Sequence, residues 1–431
     1  MISPIPKDWT SDRLKDVSAI NAASLPANTD ADYEFDYLEI SNVNYYGIVD
    51  PNAIERLRYE DAPSRARRRL ATNCTAISSV RPNLQAVAFI ENAPDDLVCS
   101  TGFNVVRPAA HKLSPKFAYY SLLADGARQY FESTAKGVGY PAVDDKDFQS
   151  FGVPLPPLLE QQRIAAYLDA SCAAIDAAVA AKRRQLETLD ALALAVIHQA
   201  VTSGINAAVK LRESGMDWLP EVPEHWQVQQ IKRTCEIVRG KFAHRPRNDP
   251  AFYGGEYPFV QTGDITAARK YIRTYSQTLN DLGLGVSKTF PRGTLVMSIA
   301  ANIGDVAILD FEACFPDSMV GLIPTHKTDL NFLYYMMRAM KGIMLRSAVI
   351  STQLNLNNVR IGTNFAAFPP MKEQKAIGEY LDVKEQEGFA VKETLNQQIA
   401  TLTAYRKSLI HECVTGQRRI TEKDTSNLML T

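Results

Sequence analysis

The sequence predicts a duplicated chain of mixed α/β (α+β) class in which two domains alternate with two long helices. An internal repeat and two helical segments of matching length carry that prediction. Residues 156–202 align without gaps on residues 369–415, a shift of 213 with 17 identities in 47 positions. Pro156-Pro157, Glu160-Gln161 and Tyr167-Leu168-Asp169 return as Pro369-Pro370, Glu373-Gln374 and Tyr380-Leu381-Asp382, and Ile197-His198 returns as Ile410-His411. Pro6-Lys7-Asp8-Trp9 with Leu14-Lys15 is matched by Pro223-Glu224-His225-Trp226 with Ile231-Lys232, a shift of 217. Self-similarity of this kind sets the architecture before any local pattern is read. The order is variable, constant, variable, constant, and the chain divides at 1–153, 154–204, 205–368 and 369–431.

The variable regions mix periods. Strands are expected at Asp36–Ile40, Ala86–Ile90, Phe103–Val106, Tyr257–Val260, Thr294–Ile299 and Asp305–Leu309, where β-branched and aromatic residues cluster between turn residues. Helices are expected near 115–133 and 329–347, around the matched Phe117-Ala118-Tyr119-Tyr120 and Phe332-Leu333-Tyr334-Tyr335.

The constant regions read as long helices. After Pro156-Pro157, residues 160–203 hold neither Gly nor Pro, and Ile164, Leu168, Ile175, Val179, Leu186, Leu189 and Val196 recur at spacings of 3, 4 and 7, a coiled-coil seam. Alanine enrichment raises helix propensity there and permits close approach of a partner. Ile377, Leu381, Leu395, Leu402 and Leu409 form the second stripe, with Gly388 as an interruption. A helix of about 44 residues spans roughly 65 Å and cannot bury its own stripe. The two are therefore expected to pack on one another, antiparallel if the chain returns through the second variable region. The alternative is that each packs only on its own domain.

Composition narrows the class. Of 431 residues, 46% are hydrophobic and 22% charged, the balance of a globular protein rather than a disordered one. No apolar run of membrane-spanning length and no signal segment is expected, so a cytoplasmic address without membrane contact is the default. The six cysteines, at 74, 99, 172, 235, 314 and 413, include no CxxC pair, which points away from zinc sites and disulfide frameworks. The formal charge of −1 is low for a chain that binds DNA unaided, so local basic patches or basic partners must compensate. There is no GxxxxGK[ST] phosphate loop. Asp249-Pro250-Ala251-Phe252 superficially looks like a methyltransferase Asp-Pro-Pro-Phe motif, but the second proline is missing and no glycine-rich cofactor loop precedes it. A turn is expected there.

Residues 154–169, Pro-Leu-Pro-Pro-Leu-Leu-Glu-Gln-Gln-Arg-Ile-Ala-Ala-Tyr-Leu-Asp, resemble a region of the type I restriction-modification specificity subunits, the HsdS family. The junction Ser214-Gly215-Met216-Asp217-Trp218-Leu219-Pro220 through Trp226 is similar to the start of that family's second recognition domain, with Pro220 where the family usually has Gly. Tyr37-Leu38-Glu39-Ile40-Ser41-Asn42-Val43 and Tyr257-Pro258-Phe259-Val260-Gln261-Thr262-Gly263-Asp264-Ile265 resemble its first strand motif, Pro291 to Ser298 with Asn302-Ile303-Gly304 its hairpin, and Ser351-Thr352-Gln353-Leu354-Asn355 its closing turn. The resemblance implies two target-recognition domains held apart by two antiparallel helices under pseudo-twofold symmetry. It implies a non-catalytic subunit that reads a bipartite target in double-stranded DNA. It further implies two N6-adenine methyltransferase subunits as partners and up to two restriction-translocase subunits, with S-adenosylmethionine, ATP and Mg belonging to those partners and no cofactor or metal in this chain.

Two basic runs are the candidates for DNA contact. One, 56–69, contains Arg56, Arg58, Arg65, Arg67, Arg68 and Arg69; the other, 239–247, contains Arg239, Lys241, Arg245 and Arg247. Phosphates position such a protein while base edges specify the sequence. Lys136 and Tyr140 in one loop, and Gln353 in the corresponding one, add polar groups able to reach phosphate or a base edge. For the helix pair and its partners the candidates are Ile164, Leu168, Ile175, Leu186, Leu189, Ile377, Leu381, Leu395 and Leu402. His198 and His411 recur at equivalent positions, where packing is the expected role. A self-contained methyltransferase and a scaffold without nucleic acid are the competing classes; the first must bind S-adenosylmethionine unaided, and the second shows no sequence preference.

Overall fold

The computed structural model describes residues 5–44, 47, 49–300, 302–347, 349–350 and 354–428. Its chain forms two compact units, one of residues 1–183 and 396–431, the other of residues 184–395. The division falls inside both long helices, so each unit contains a stretch of each.

In the first unit two four-stranded sheets form. One has the strand order Ser18–Ile20, Phe103–Pro108, Cys74–Ser78, Val87–Ile90, all antiparallel. The other runs Glu55–Arg58, Glu34–Leu38, Leu97–Ser100, Ala66–Arg69, with its two central strands parallel. Helix α1 (Pro115–Leu123) buries Phe117, Ala118, Tyr119 and Tyr120. The second unit has a five-stranded sheet ordered Cys235–Arg239, Met319–Pro324, Leu295–Ser298, Val306–Leu309, Tyr271–Ile272. A four-stranded sheet beside it in sequence is ordered Gln277–Leu279, Tyr253–Phe259, Ala313–Cys314, Thr289–Phe290. All six expected strands form, with bounds shifted by a few residues, and the expected helix near 115–133 is α1 followed by Asp125–Thr134.

The long helices are α2 (Leu158–Ser203) and α4 (Met371–Thr415), and α3 (Leu330–Ala339) is the second unit's counterpart of α1. α4 runs through Gly388 without a break. Gly378 in it has a packing reason: a Cβ there would stand 2.8 Å from the Cβ of Asn331, so only glycine lets α3 lie this close.

Within each unit the two helices are antiparallel. In the first, Lys182 donates to Gln398 over 2.6 Å and Arg406 to Asp176 over 3.2 Å, so one number falls as the other rises. In the second, Lys392 pairs with Asp190 while Gly204 lies against Glu373. Ile164, Leu168, Ile175 and Val179 join Leu409, Ile410 and the domain's Trp9 and Phe117 in one core. Ile377 and Leu381 join Ile197, Val201, Trp226 and Phe332 in another. Burying a side chain of this size is worth about 1.5–3 kcal/mol, so packing on the domain and packing on the other helix both stabilise the pair. Leu186, Leu189 and Leu402 are only half-buried, and Leu395 is buried. There the helices depend more on the polar crossings.

The duplicated Glu-Gln explains itself in this geometry. Gln161 accepts from the Ser114 backbone N–H at 2.8 Å and donates to the carbonyls of Lys112 and Pro156. Gln374 accepts from Asp329 N–H at 2.8 Å and donates to Lys327 and Pro369. Each is a buried plug that satisfies three backbone groups where helix, loop and Pro-Pro turn meet. The preceding Glu373 accepts from His225 at 2.7 Å and from Trp226 Nε1 at 3.2 Å, whereas Glu160 pairs with Arg419, which also holds Asp8. Tyr120 donates to Asp169 at 2.7 Å and Tyr335 to Asp382 at 2.6 Å, so the Tyr-Leu-Asp repeat fastens a domain helix to a long helix in both units.

The expectation that no apolar stretch reaches membrane length is corrected by α2, which contains an 18-residue window of mean hydropathy 1.5. Alanines supply that value together with Ile164, Leu168, Ile175 and Val179, which face the core. Asp169 and Asp176, bonded to Tyr120 and Arg406, sit among those alanines.

Candidate nucleic-acid interface

The basic run of the second unit starts at the end of the strand Cys235–Arg239 and continues as a loop. Phe242 anchors it, packing on Tyr253 and Phe259 with ring centroids 5.7 and 5.3 Å away. Asp317 is the hub for the arginines. Arg239 donates to its carbonyl at 2.8 Å, Arg245 to its carboxylate at 3.4 Å, and Arg247 also bonds that carboxylate. Arg245 donates as well to the carbonyls of Phe242 and His244. Lys241 is exposed. A guanidinium has five N–H donors in a fixed fork, so Arg245 and Arg247, each about half exposed, keep donors facing solvent.

Beside this loop lies a concave surface of about 580 Å³. Arg247, Asn248, Gln261, Thr262, Ser276 and Gln277 line it, over the aromatic floor of Phe242, Tyr253 and Phe259. Gln261 caps the helix Thr262–Ala267 in a reciprocal box with Asp264, and its Nε2 donates to Gln277 Oε1 at 3.0 Å. The surface thus sets one basic group, Arg247, beside the neutral amides of Asn248, Gln261 and Gln277, a pairing suited to phosphate contact next to base contact.

The arginine run of the first unit is more fully engaged with protein. Arg56 bridges Glu34, Asp36 and Asp96, and these carboxylates, Asp96 foremost, raise its pKa. Arg58 pairs with Asp32 and Glu60. Arg65 pairs with Glu39, Arg67 lies 4.5 Å over the ring of Tyr59, and Arg69 donates to the Asp95 carbonyl at 2.8 Å. Arg68 turns inward to the Phe103 carbonyl and to Asn104 at 3.0 Å, and burial lowers its pKa. Ala66–Arg69 pairs with Leu97–Ser100 through a register irregularity between Ala66 and Arg68, so only Arg68 and Arg69 keep the regular alternation that sends neighbours to opposite faces.

Lys136 is exposed but bonded to Asp144 at 2.6 Å and Asp147 at 3.3 Å, which raises its pKa and lowers that of Asp144. Tyr140 is 73% exposed with Arg81 over its ring. Gln353 lies outside the described residues. Asp249 makes the expected turn, accepting from Ala251 N–H at 3.0 Å and contacting His244. His198 stands edge-on to Trp218, and His411 packs against Gly126. Among the described residues no group of three or more His, Cys, Asp or Glu side chains is placed to hold a metal ion.

Sequence reasoning passed over Gln261 and Gln277. Gln261 lies inside the strand motif already singled out, and its position at the strand's end was the available signal. Gln277 had none, because its neighbour comes from strand pairing.

Comparison with known proteins follows the same duplication. The model of the type I restriction modification DNA specificity domain matches twice, at residues 6–188 and 223–401. A Methanocaldococcus jannaschii protein assigned as the specificity subunit of type I restriction enzyme MjaX is 24% identical over 97% of this chain and 96% of its own length. The HindI specificity subunit of Haemophilus influenzae is 20% identical over 76% of this chain and 82% of its own. Among solved structures, a chain from work on complex assembly and conformational transition of the type I R-M system superposes with a TM-score of 0.78 at 22% identity, covering 95% of this chain and 98% of that one. The HsdS subunit of Thermoanaerobacter tengcongensis gives 0.55 at 21% identity, over 96% and 98%.

Proposed function

The chain belongs to the family of type I restriction modification DNA specificity domains, and on that premise we propose that it is the sequence-specificity subunit of a type I restriction-modification complex. It recognises a bipartite DNA target, one half-site per recognition domain. One observation carries the reading: the family match occurs twice in tandem, and each half sets arginines at a sheet edge, in the strand Ala66–Arg69 of the first and at Arg239 and the loop after it in the second. Phosphate contacts from those edges would set the register of the domains on the duplex, and neutral side chains beside them would read base edges.

The subunit is non-catalytic in this reading. Two N6-adenine methyltransferase subunits bring S-adenosylmethionine and take the target adenine out of the stack, since chemistry on a base requires its extrusion. Up to two restriction-translocase subunits bring ATP and Mg. The near-balanced charge of the chain supports division of phosphate contact among subunits. The assembly is cytoplasmic, where chromosomal DNA is accessible. The two helices, 46 and 45 residues long, fix the number of unspecified base pairs between half-sites, as a stiff helical spacer does better than a flexible linker.

Methyl transfer assays test the reading. The chain alone is expected to bind no S-adenosylmethionine by calorimetry, and its methyltransferase partner alone to methylate no defined sequence. Together they should methylate one. Binding of S-adenosylmethionine by the isolated chain would contradict the assignment.

A further inference from the structure

The two halves differ in chemistry at two register-equivalent positions. In the second unit the strand Tyr253–Phe259 ends two residues before Gln261, which closes a capping box with Asp264. In the first, Tyr37 lies two residues before Glu39, which closes the same box with Asn42. The antiparallel neighbour completes the match, since Phe259 stands opposite Gln277 and Tyr37 opposite Glu55. Two carboxamides in one half therefore correspond to two carboxylates in the other.

The hydrogen bonds of Gln277 are already half determined. Gln261, whose backbone N–H is held by Asp264 at 2.7 Å, donates from its side-chain Nε2 to Gln277 Oε1 at 3.0 Å. That bond orients the Gln277 amide, whose second oxygen lone pair and two N–H groups have no partner among the described residues and whose side chain is exposed on the concave surface. An acceptor and a donor side by side match the N6 and N7 edge of adenine, and a carboxylate matches the N4 donor of cytosine. Neither phosphate binding nor folding requires a neutral amide on a surface that Arg247 also lines.

We propose that Gln277, oriented by Gln261, is a base-reading side chain of the second half-site, matched to an adenine edge, and that Glu55 and Glu39 occupy the corresponding positions in the first half-site. Gln261 acts as a positioning residue. The inference rests on the recognition reading above and deepens it.

The test uses the full chain assembled with its methyltransferase. Methylated sites of the wild-type complex are mapped first, and initial methylation rates are then measured on duplexes carrying every single-base change in the second half-site. For Gln277→Ala the preference for adenine over the other bases should fall roughly tenfold to a hundredfold at one position only. Gln277→Glu should shift preference there towards cytosine, and Gln261→Ala should relax the same position by a smaller factor. The first half-site and the gap should be unchanged in all three, which also reports that the variants fold. An unchanged second half-site with Gln277→Ala, or a uniform loss across all its positions, would overturn the proposal. Absence of a two-part motif for the wild type would instead overturn the recognition reading itself.

Discussion

Arg68 and Arg247 look alike in sequence and are placed differently. Arg68 points inward to the Phe103 carbonyl and Asn104, while Arg247 stands at the rim of the concave surface. Arg68→Ala should therefore remove the donor to the Phe103 carbonyl and one of the two donors to Asn104 Oδ1, and destabilise the chain by ~1–3 kcal/mol in chemical denaturation. Arg247→Ala should leave that midpoint in place and weaken binding of all duplexes alike, with the salt dependence reduced by about one counterion. The cysteines allow a second prediction at this scale. All six are buried, and burial pushes Cys172 up to about 11 and Cys99, Cys235 and Cys413 up to about 12. The folded chain should resist alkylation at pH 8 and react once denatured. Because these thiols lie above the ordinary value of 9.0, their contribution to stability is complete below that pH. It declines as pH rises from there towards about 12, which urea melts at alkaline pH will show.

At the scale of elements, the plugs Gln161 and Gln374 join each long helix to its domain. Gln374→Ala strands three backbone groups, among them Asp329 N–H, and should cost ~2–3 kcal/mol of stability by denaturation. Gln161→Ala should cost a similar amount. The long helices were legible because seven-residue spacing and the lack of breakers act locally, and Glu-Gln was legible as a repeat though not as a plug. Strands rich in β-branched residues, such as Leu295–Ser298, were legible too. Ala66–Arg69 was not, because four residues reading Ala-Arg-Arg-Arg carry no strand signal and become one only by pairing with Leu97–Ser100. The Gln261–Gln277 pair was hidden for the same reason. Sixteen residues separate its members, and only strand register brings them together.

At the scale of the whole molecule, duplication accounts for both the family match and the chemistry. Matched plugs and Tyr–Asp fastenings hold each domain to the helices, while the recognition surfaces diverge around them. If the helix pair sets the spacing of half-sites, inserting four residues near Ala180 with a matching insertion near Gln398 adds about one turn, ~5.4 Å. The gap in the methylated motif should change by one or two base pairs. An unchanged gap would assign spacing to another part of the assembly.

The most direct measurement is to co-express the chain with its methyltransferase in a host free of adenine methylation and map N6-methyladenine across the genome by single-molecule sequencing. A two-part motif with a gap of fixed length is the predicted result. With an active complex verified in the same cells, no motif, or one continuous motif, would contradict the account.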